Sequence, residues 1–236
     1  MGKDTKTTNV KASQLNYNKY SFQKYDQDIV NSIPFHREIH KKIISFISKN
    51  FDKNKKYSVL DLGVGTGITS KIIQDLLPPS EIDAVDFSKK MLNHAKNRLG
   101  KRNVTYIFGD YSKINFGKRY DIVVSVIGLH HQTNSGKINL FKKIYSLLNK
   151  NGVFIFGDLV TYQNKHQAVL NNALHFHHLV EKSADQKTLS EWAYHHMYLN
   201  DLAPIEDQIN WLKRAGFSVR KEFLEMNTAL LICKKK

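Results

Sequence analysis

The stretch Val59–Ser70, VLDLGVGTGITS, constrains this chain more than any other. A short apolar run from Tyr57 to Leu62 meets a turn with three glycines, Gly63-Val64-Gly65-Thr66-Gly67. Apolar residues then recur at helical spacing, at Ile68, Ile72, Ile73, Leu76 and Leu77. The pattern reads as a buried strand, a tight turn and a helix. Glycine allows positive φ and close approach of a ligand to the backbone. The helix start aims N–H groups and a positive dipole end at whatever occupies the turn, which therefore suits a polar ligand. In the dinucleotide fingerprint G-x-G-x-x-G the glycines pack against a pyrophosphate. Here the third glycine comes one residue early, and Ile68 stands where that pattern wants glycine.

Strand and helix patterns alternate from there. Pro78-Pro79 ends the first helix, Glu81–Asp86 reads as a second strand, and Asp86 stands where an acid would meet a ribose. Ser88 is placed to cap a helix whose apolar face is Met91, Leu92, Ala95 and Leu99. Val104–Phe108 and Tyr120–Ile127 read as strands three and four, the latter running into Gly128-Leu129-His130-His131. A helix through Ile138, Phe141, Ile144, Leu147 and Leu148 follows, then a turn at Asn151-Gly152 and a strand over Val153–Phe156. Such alternation implies a mostly parallel sheet covered by helices on both faces. Right-handed crossovers bring Gly63–Gly67, Asp86, Asp110, His130, His131 and Asp158 to one rim, where open α/β sheets bind ligands.

Residues 160–202 break the rhythm with two helical patterns rich in His and Tyr, and read as an insert over the rim. Pro204 starts another helix, closed by Gly216, and Phe217–Glu225 with Thr228–Lys234 form a closing strand pair. Ahead of the first strand, Ile39, Ile43, Phe46 and Ile47 share a helix face after a turn at Ile33–His36, whereas Tyr17–Asp26 is aromatic without clear period. The expected division is a disordered tail over 1–14, a helical cap over 15–56, a core over 57–159, a substrate-lid insert over 160–202, and a helix and strand pair over 203–236 that complete the core. With 236 residues the chain suits one large domain, or a domain with a lid.

The single cysteine, Cys233, rules out an intrachain disulfide framework and a multi-cysteine zinc site. No apolar run is long enough to span a bilayer and no signal-peptide pattern opens the sequence, so the expectation is cytoplasmic. The net charge of +15 raises nucleic-acid binding as a possibility. The lysines are scattered, however, and no basic helix interleaved with aromatics stands out, so a lysine-rich solvated surface is the favoured reading. Oligomeric state is not legible, a dimer being one option.

Taken together, VLDLGVGTG, AVDFSKKML, GDYS, YDIVVSVIGLHH and WLKRAGF with the closing strand pair resemble a class I S-adenosylmethionine-dependent methyltransferase from about residue 57 onward. KYDQDIVNSIPFH and DQINWLKRAGF are more loosely similar to a small-molecule subgroup related to the carboxy-S-adenosylmethionine synthases. The resemblance implies a Rossmann-like, doubly wound α/β fold: a mostly parallel seven-stranded sheet with a C-terminal antiparallel hairpin and a helical lid insert. It also implies that Asp61 and the backbone of Gly63, Gly65 and Gly67 hold the amino acid part of S-adenosyl-L-methionine. By the same resemblance Asp86 accepts from the ribose, Phe87 lies against the adenine, Asp110 accepts from its amino group, the Tyr111 backbone N–H meets the ring, and Ile127 passes near the sulfonium. The synthases carry cysteine and serine where Val64 and Thr66 stand, and an arginine in the insert. No arginine occurs between Arg119 and Arg214, which argues for methyl rather than carboxymethyl chemistry.

The expected activity is in-line methyl transfer to a small-molecule acceptor, in which positioning does much of the work. Where the acceptor sheds a proton, His131 is the first candidate base, against the alternative that it only lines the pocket. Tyr25, His130, Asp158, His175, His178 and Tyr194 are candidate substrate contacts, each weighed against plain packing. Helical spacing gives His175 only His178 as a histidine neighbour, so no metal site is expected. An RNA-modifying methyltransferase, a carboxy-S-adenosylmethionine synthase-like enzyme and a non-catalytic cofactor-binding subunit are the alternatives.

Overall fold

In the computed structural model, which describes residues 22–235, seven strands form one sheet in the order β3-β2-β1-β4-β5-β7-β6. The strands are β1 (Ser58–Leu62), β2 (Glu81–Asp86), β3 (Val104–Phe108), β4 (Tyr120–Val126), β5 (Leu148–Leu159), β6 (Phe217–Glu225) and β7 (Thr228–Lys235). The first five run parallel, and β7 lies antiparallel between β5 and β6. The chain thus has the doubly wound α/β fold with its closing antiparallel pair. The expected tail over 1–14 lies outside the described residues.

Side-chain alternation along the pleat explains why both faces are covered. Val59, Ile122, Val124, Ile155 and Ile232 face one apolar layer, with Ile39, Ile43 and Ile47 of α2 (His36–Asn50), Ile73 of α3 (Ile68–Leu76) and Leu92 of α4 (Lys89–Leu99). Their sequence neighbours Leu60, Val123, Phe154, Phe156 and Leu231 face the other, with Phe141 and Ile144 of α5 (Asn134–Leu147) and Leu212 of α8 (Ile205–Arg214). The Ser88 hydroxyl accepts from the Met91 N–H and caps α4 as expected.

Three boundaries differ from the sequence reading. The strand expected over Val153–Phe156 runs from Leu148 to Leu159, because Leu148 leaves α5 and pairs with Tyr120 ahead of the irregularity at Asn151, whose φ is 64°. Strand β4 stops at Val126, one residue early, since Ile127 turns left-handed at φ 54°. The aperiodic stretch before Ile33 contains helix α1 (Phe22–Ser32), which tertiary contacts hold in place.

The insert comprises α6 (Lys165–Lys182), α7 (Gln186–Tyr194) and one π-helical turn, His195–Leu199. It leaves and rejoins the core at one point, where the Thr161 N–H donates to the Ala203 carbonyl and the Ile205 N–H to the Thr161 carbonyl. His175 ties α6 down: its Nε2–H donates to the Ser32 carbonyl at 3.0 Å and its Nδ1 accepts from Asn227 at 2.6 Å. The His178 Nε2–H donates to the Asn31 carbonyl at 2.7 Å. Both histidines therefore satisfy the last carbonyls of α1.

Gly216, between α8 and β6, has φ 112°, and a Cβ there would stand 2.6 Å from Cζ of Tyr145. Tyr145 is itself braced edge-on against Phe217, with ring centroids 5.1 Å apart. A Gly216→Ala variant should lose about 2 kcal/mol from backbone strain and overlap. A thermal melt checks this, and an unchanged midpoint would show that the ring yields freely.

Candidate functional site

The glycine turn leaves β1 at Gly63 (φ 79°), passes Gly65 (φ 55°) and enters α3 at Gly67 (φ 85°). The N–H groups of Gly63 and Val64 both donate to the Val85 carbonyl, which pins the turn to β2. A Cβ on Gly65 would meet no atom within 4 Å, so this position opens onto space rather than packing. Gly67 differs: a Cβ there would stand 3.2 Å from Leu99, so this glycine serves the packing of α3 on α4. A cleft of about 470 Å³ opens above the turn, lined by Asp61, Gly63, Gly65, Thr69, Ile127 and Tyr25 among others. Helix α3 begins with no side-chain cap, so the cap residue offers its first-turn N–H groups no side-chain acceptor.

One carboxylate lines this cleft and a second stands behind its Gly65 wall. Asp61, 2% exposed at the end of β1, accepts from the Ser70 hydroxyl at 2.6 Å. Burial raises its pKa to about 7; the Ser70 hydrogen bond opposes the rise and the nearby Asp86 adds to it. Asp86, at the end of β2, accepts from the N–H groups of Gly65 (2.9 Å) and Ser88 (2.8 Å). Its pKa is about 6, raised by burial against these bonds. Phe87 is half-buried beside it. Asp110 accepts from the Ser112 N–H and hydroxyl; burial pushes its pKa up, but these bonds and Lys113 hold it below the usual range. The Tyr111 side chain is buried beneath the turn, its hydroxyl donating to the Gly128 carbonyl at 3.0 Å.

Helix α1 reaches over the turn. Asp26 accepts from the Thr66 hydroxyl at 2.6 Å and pairs with Arg98, which also donates to the Thr66 carbonyl. This clasp has no sequence signal, since its members come from three separate elements.

A second cleft, of about 730 Å³, lies between α1, the insert and the end of β4. It shares Tyr25, Ile29 and Ile127 with the first as a common wall. Of the expected substrate contacts, Tyr25, His130 and His175 line it, together with His131. Asp158 sits behind His130, accepting from its Nδ1 at 2.5 Å and from the Leu129 and Leu159 N–H groups. The sequence reading is corrected at two positions. His178 is not among the lining residues because it faces α1, and Tyr194 points outward, 58% exposed against Tyr198.

The His131 Nδ1–H donates to the Leu199 carbonyl at 2.9 Å, which leaves Nε2 with the lone pair. Burial and its neighbours His130 and His195 hold its pKa well below the ordinary value, so it is neutral. The rings meet in series, His130 tilted against His131 at 4.0 Å and His131 edge-on to His195 at 5.2 Å between centroids. One ring nitrogen from each of the three lies within 4.8 Å of the others. The buried Lys137 ammonium fixes this corner by donating to the Gln132 and Asp201 carbonyls, and the Asp201 N–H donates to the His130 carbonyl. His195, far along the chain from His131, has no spacing signal that marks it as its neighbour.

Residues 59–152 match the family model described as a methyltransferase domain. Malonyl-[acyl-carrier protein] O-methyltransferase 1 of Ilyobacter polytropus is 36% identical over 121 residues, 51% of this chain and 43% of that protein. The carboxy-S-adenosyl-L-methionine synthase of Campylobacter concisus is 26% identical over 156 residues, 65% of each chain. The chain spans about half the length of the first curated relatives it matches. Among solved structures, the Bacillus subtilis YcgJ protein superposes with TM-score 0.60 at 14% identity, covering 84% of this chain and 99% of that one. Human N-acetylserotonin methyltransferase, solved with SAM, gives 0.56 at 14% identity over 83% and 51%. The stretch built around the glycine turn is thus similar to methyltransferase domains, in sequence over residues 59–152 and in fold over most of the chain. Among the described residues, no helix is long and apolar enough to cross a membrane.

Proposed function

We propose that this protein transfers a methyl group from S-adenosylmethionine to a small-molecule acceptor. The observation that carries the reading is the wall shared by the two clefts: Tyr25, Ile29 and Ile127 separate a glycine-lined cleft from a histidine-lined one. A donor in the first and an acceptor in the second meet at Ile127. The residues of the first cleft fit the cofactor. Gly65 offers open space to a ligand, and Asp61 suits an ammonium in a site of low dielectric. Asp86 would take the ribose hydroxyls. S-adenosylmethionine, when bound, supplies an electrophilic methyl group on a sulfonium sulfur.

The chain's own residues bind and orient the two partners. Helix α1 lines both clefts through Tyr25 and Ile29, and the insert lines the second, with Tyr25 at the junction. A proton shed by the acceptor goes to Nε2 of His131, which is neutral and held in the right tautomer by Leu199. Carboxymethyl chemistry is disfavoured because, among the described residues, no arginine or lysine lines either cleft. A cytoplasmic setting goes with the one cysteine, buried and unpaired.

Isothermal titration of S-adenosylmethionine, followed by a screen of small hydroxyl, amine and thiol compounds with methyl-labelled cofactor, tests this reading. Saturable equimolar binding and label transfer are expected. A folded protein that binds no cofactor, alone or with acceptors present, would overturn it.

A further inference from the structure

The three imidazoles at the rim do more than line a pocket. We infer that His130, His131 and His195 form a binding site for a divalent transition-metal ion of the Zn2+, Co2+ or Fe2+ kind. Their ring nitrogens already lie within 4.8 Å of one another. A tetrahedral ion with metal–nitrogen distances of about 2 Å needs its nitrogens about 3.4 Å apart, a closure within reach of side-chain rotation. His195 opens the π-helical turn, a geometry that recurs at functional sites.

The outer partners are those that a metal-binding histidine uses. Such a histidine commonly donates its other ring N–H to a carboxylate or a backbone carbonyl, which fixes the tautomer and aims the lone pair. His130 has Asp158 on Nδ1 and His131 has the Leu199 carbonyl on Nδ1, so Nε2 of each remains for an ion. Asp158 is in turn held by two backbone N–H groups. A second observation points to a ligand in the same cleft: Nδ1 of His196 and Oδ1 of Asn200 are buried polar atoms without a partner, and both residues line it.

Neutral nitrogen donors select the imidazole-binding metals over Mg2+ and Ca2+, which prefer oxygen ligands. Three protein ligands leave a position open, as in sites that bind substrate on the metal. On the methyl-transfer reading, on which this step rests, an acceptor hydroxyl or thiol takes the open position. It releases its proton to water and keeps the electron pair on oxygen or sulfur. Coordination occupies the His131 lone pair, so in the ion-bound protein proton removal falls to the ion rather than to His131.

The test uses the untagged full chain, stripped with chelator and titrated with Zn2+ by calorimetry and with Co2+ by absorption. Equimolar binding with nitrogen-ligated cobalt bands is expected. Binding should be lost in His195→Ala and weakened ~10–100-fold in Asp158→Asn. It should be unchanged in His177→Ala, which alters a surface histidine, 70% exposed. Circular dichroism establishes that each variant is folded, and His131→Gln replaces any that is not. Absent equimolar binding, or binding that survives His195→Ala, would overturn the inference. Neither result touches cofactor titration, so failure of the metal site and failure of the methyltransferase reading are distinguishable.

Discussion

Affinity for S-adenosylmethionine should fall by roughly a thousandfold between pH 7.5 and pH 5. The cause is the protonation state of the cleft before the cofactor arrives. Asp61 has a pKa of about 7 and Asp86 of about 6, both raised chiefly by burial. The proposed complex needs both as anions, one for an ammonium and one for two hydroxyl donors. Below pH 7 binding must therefore expel a proton from Asp61, and below pH 6 one from Asp86 as well. Each unit of pH below a group's pKa then weakens binding about tenfold. The cofactor's own amino group, with a pKa of about 8, stays protonated across this range and adds nothing to the slope. Calorimetry in buffers of different ionisation enthalpy should find about one and a half protons released near pH 6. An Asp61→Asn variant should bind weakly and with a shallower slope. An affinity flat from pH 7.5 to 5, with the protein still folded, would show that these carboxylates do not meet the cofactor.

The glycine turn was legible because one stretch carries every part of it: a run of period two, three glycines and a run of period 3.6. Asp61 and Asp86 were legible for the same reason, each closing a strand at the rim. Helix α1 was not. Phe22, Tyr25 and Ile29 do stand at helical spacing, but they do not stand out in an aromatic-rich polar stretch, and the helix is held by Asp26 on Arg98 and by two histidines gripping its last carbonyls. The insert showed in composition, but a helix rich in histidine does not announce which face turns inward. His175 meets the cleft and His178 does not, although both hold α1. The triad of His130, His131 and His195 joins a loop after β4 to a π turn in the insert. Only the fold brings those together, and period and spacing along the chain carry no trace of it.

The buried histidines also set how the fold responds to acid. His36 and His175 have pKa values of about 3, and His196 of about 4, each lowered first by burial and then by neighbouring cations or histidines. A histidine with a depressed folded-state value contributes stability above pH 6.5 and loses it as the pH falls, because the unfolded chain takes up the proton first. Asp61 and Asp86 act in the opposite sense: with raised values, their contribution is complete below about pH 4 and is lost as the pH rises through 6 to 7. By pH 5 the unfolded chain holds about three protons on these three histidines, against about half that at pH 6.5, while the folded chain alone holds about two on the carboxylates. The net is roughly one proton, a slope of about 1.4 kcal/mol per pH unit. Below about pH 4 the unfolded carboxylates are protonated too, but His196 and then His36 and His175 take up protons in the folded chain as well, so the slope stays near one proton. Against a stability of about 5–15 kcal/mol typical of a domain, these groups should remove about 3 kcal/mol between pH 6.5 and pH 4. Urea titrations at stepped pH would measure this, and stability constant from pH 7 to 4 would rule it out. Saturating cofactor should steepen the upper part of the curve, because it holds Asp61 and Asp86 ionised and removes the two protons that shield the folded state from acid.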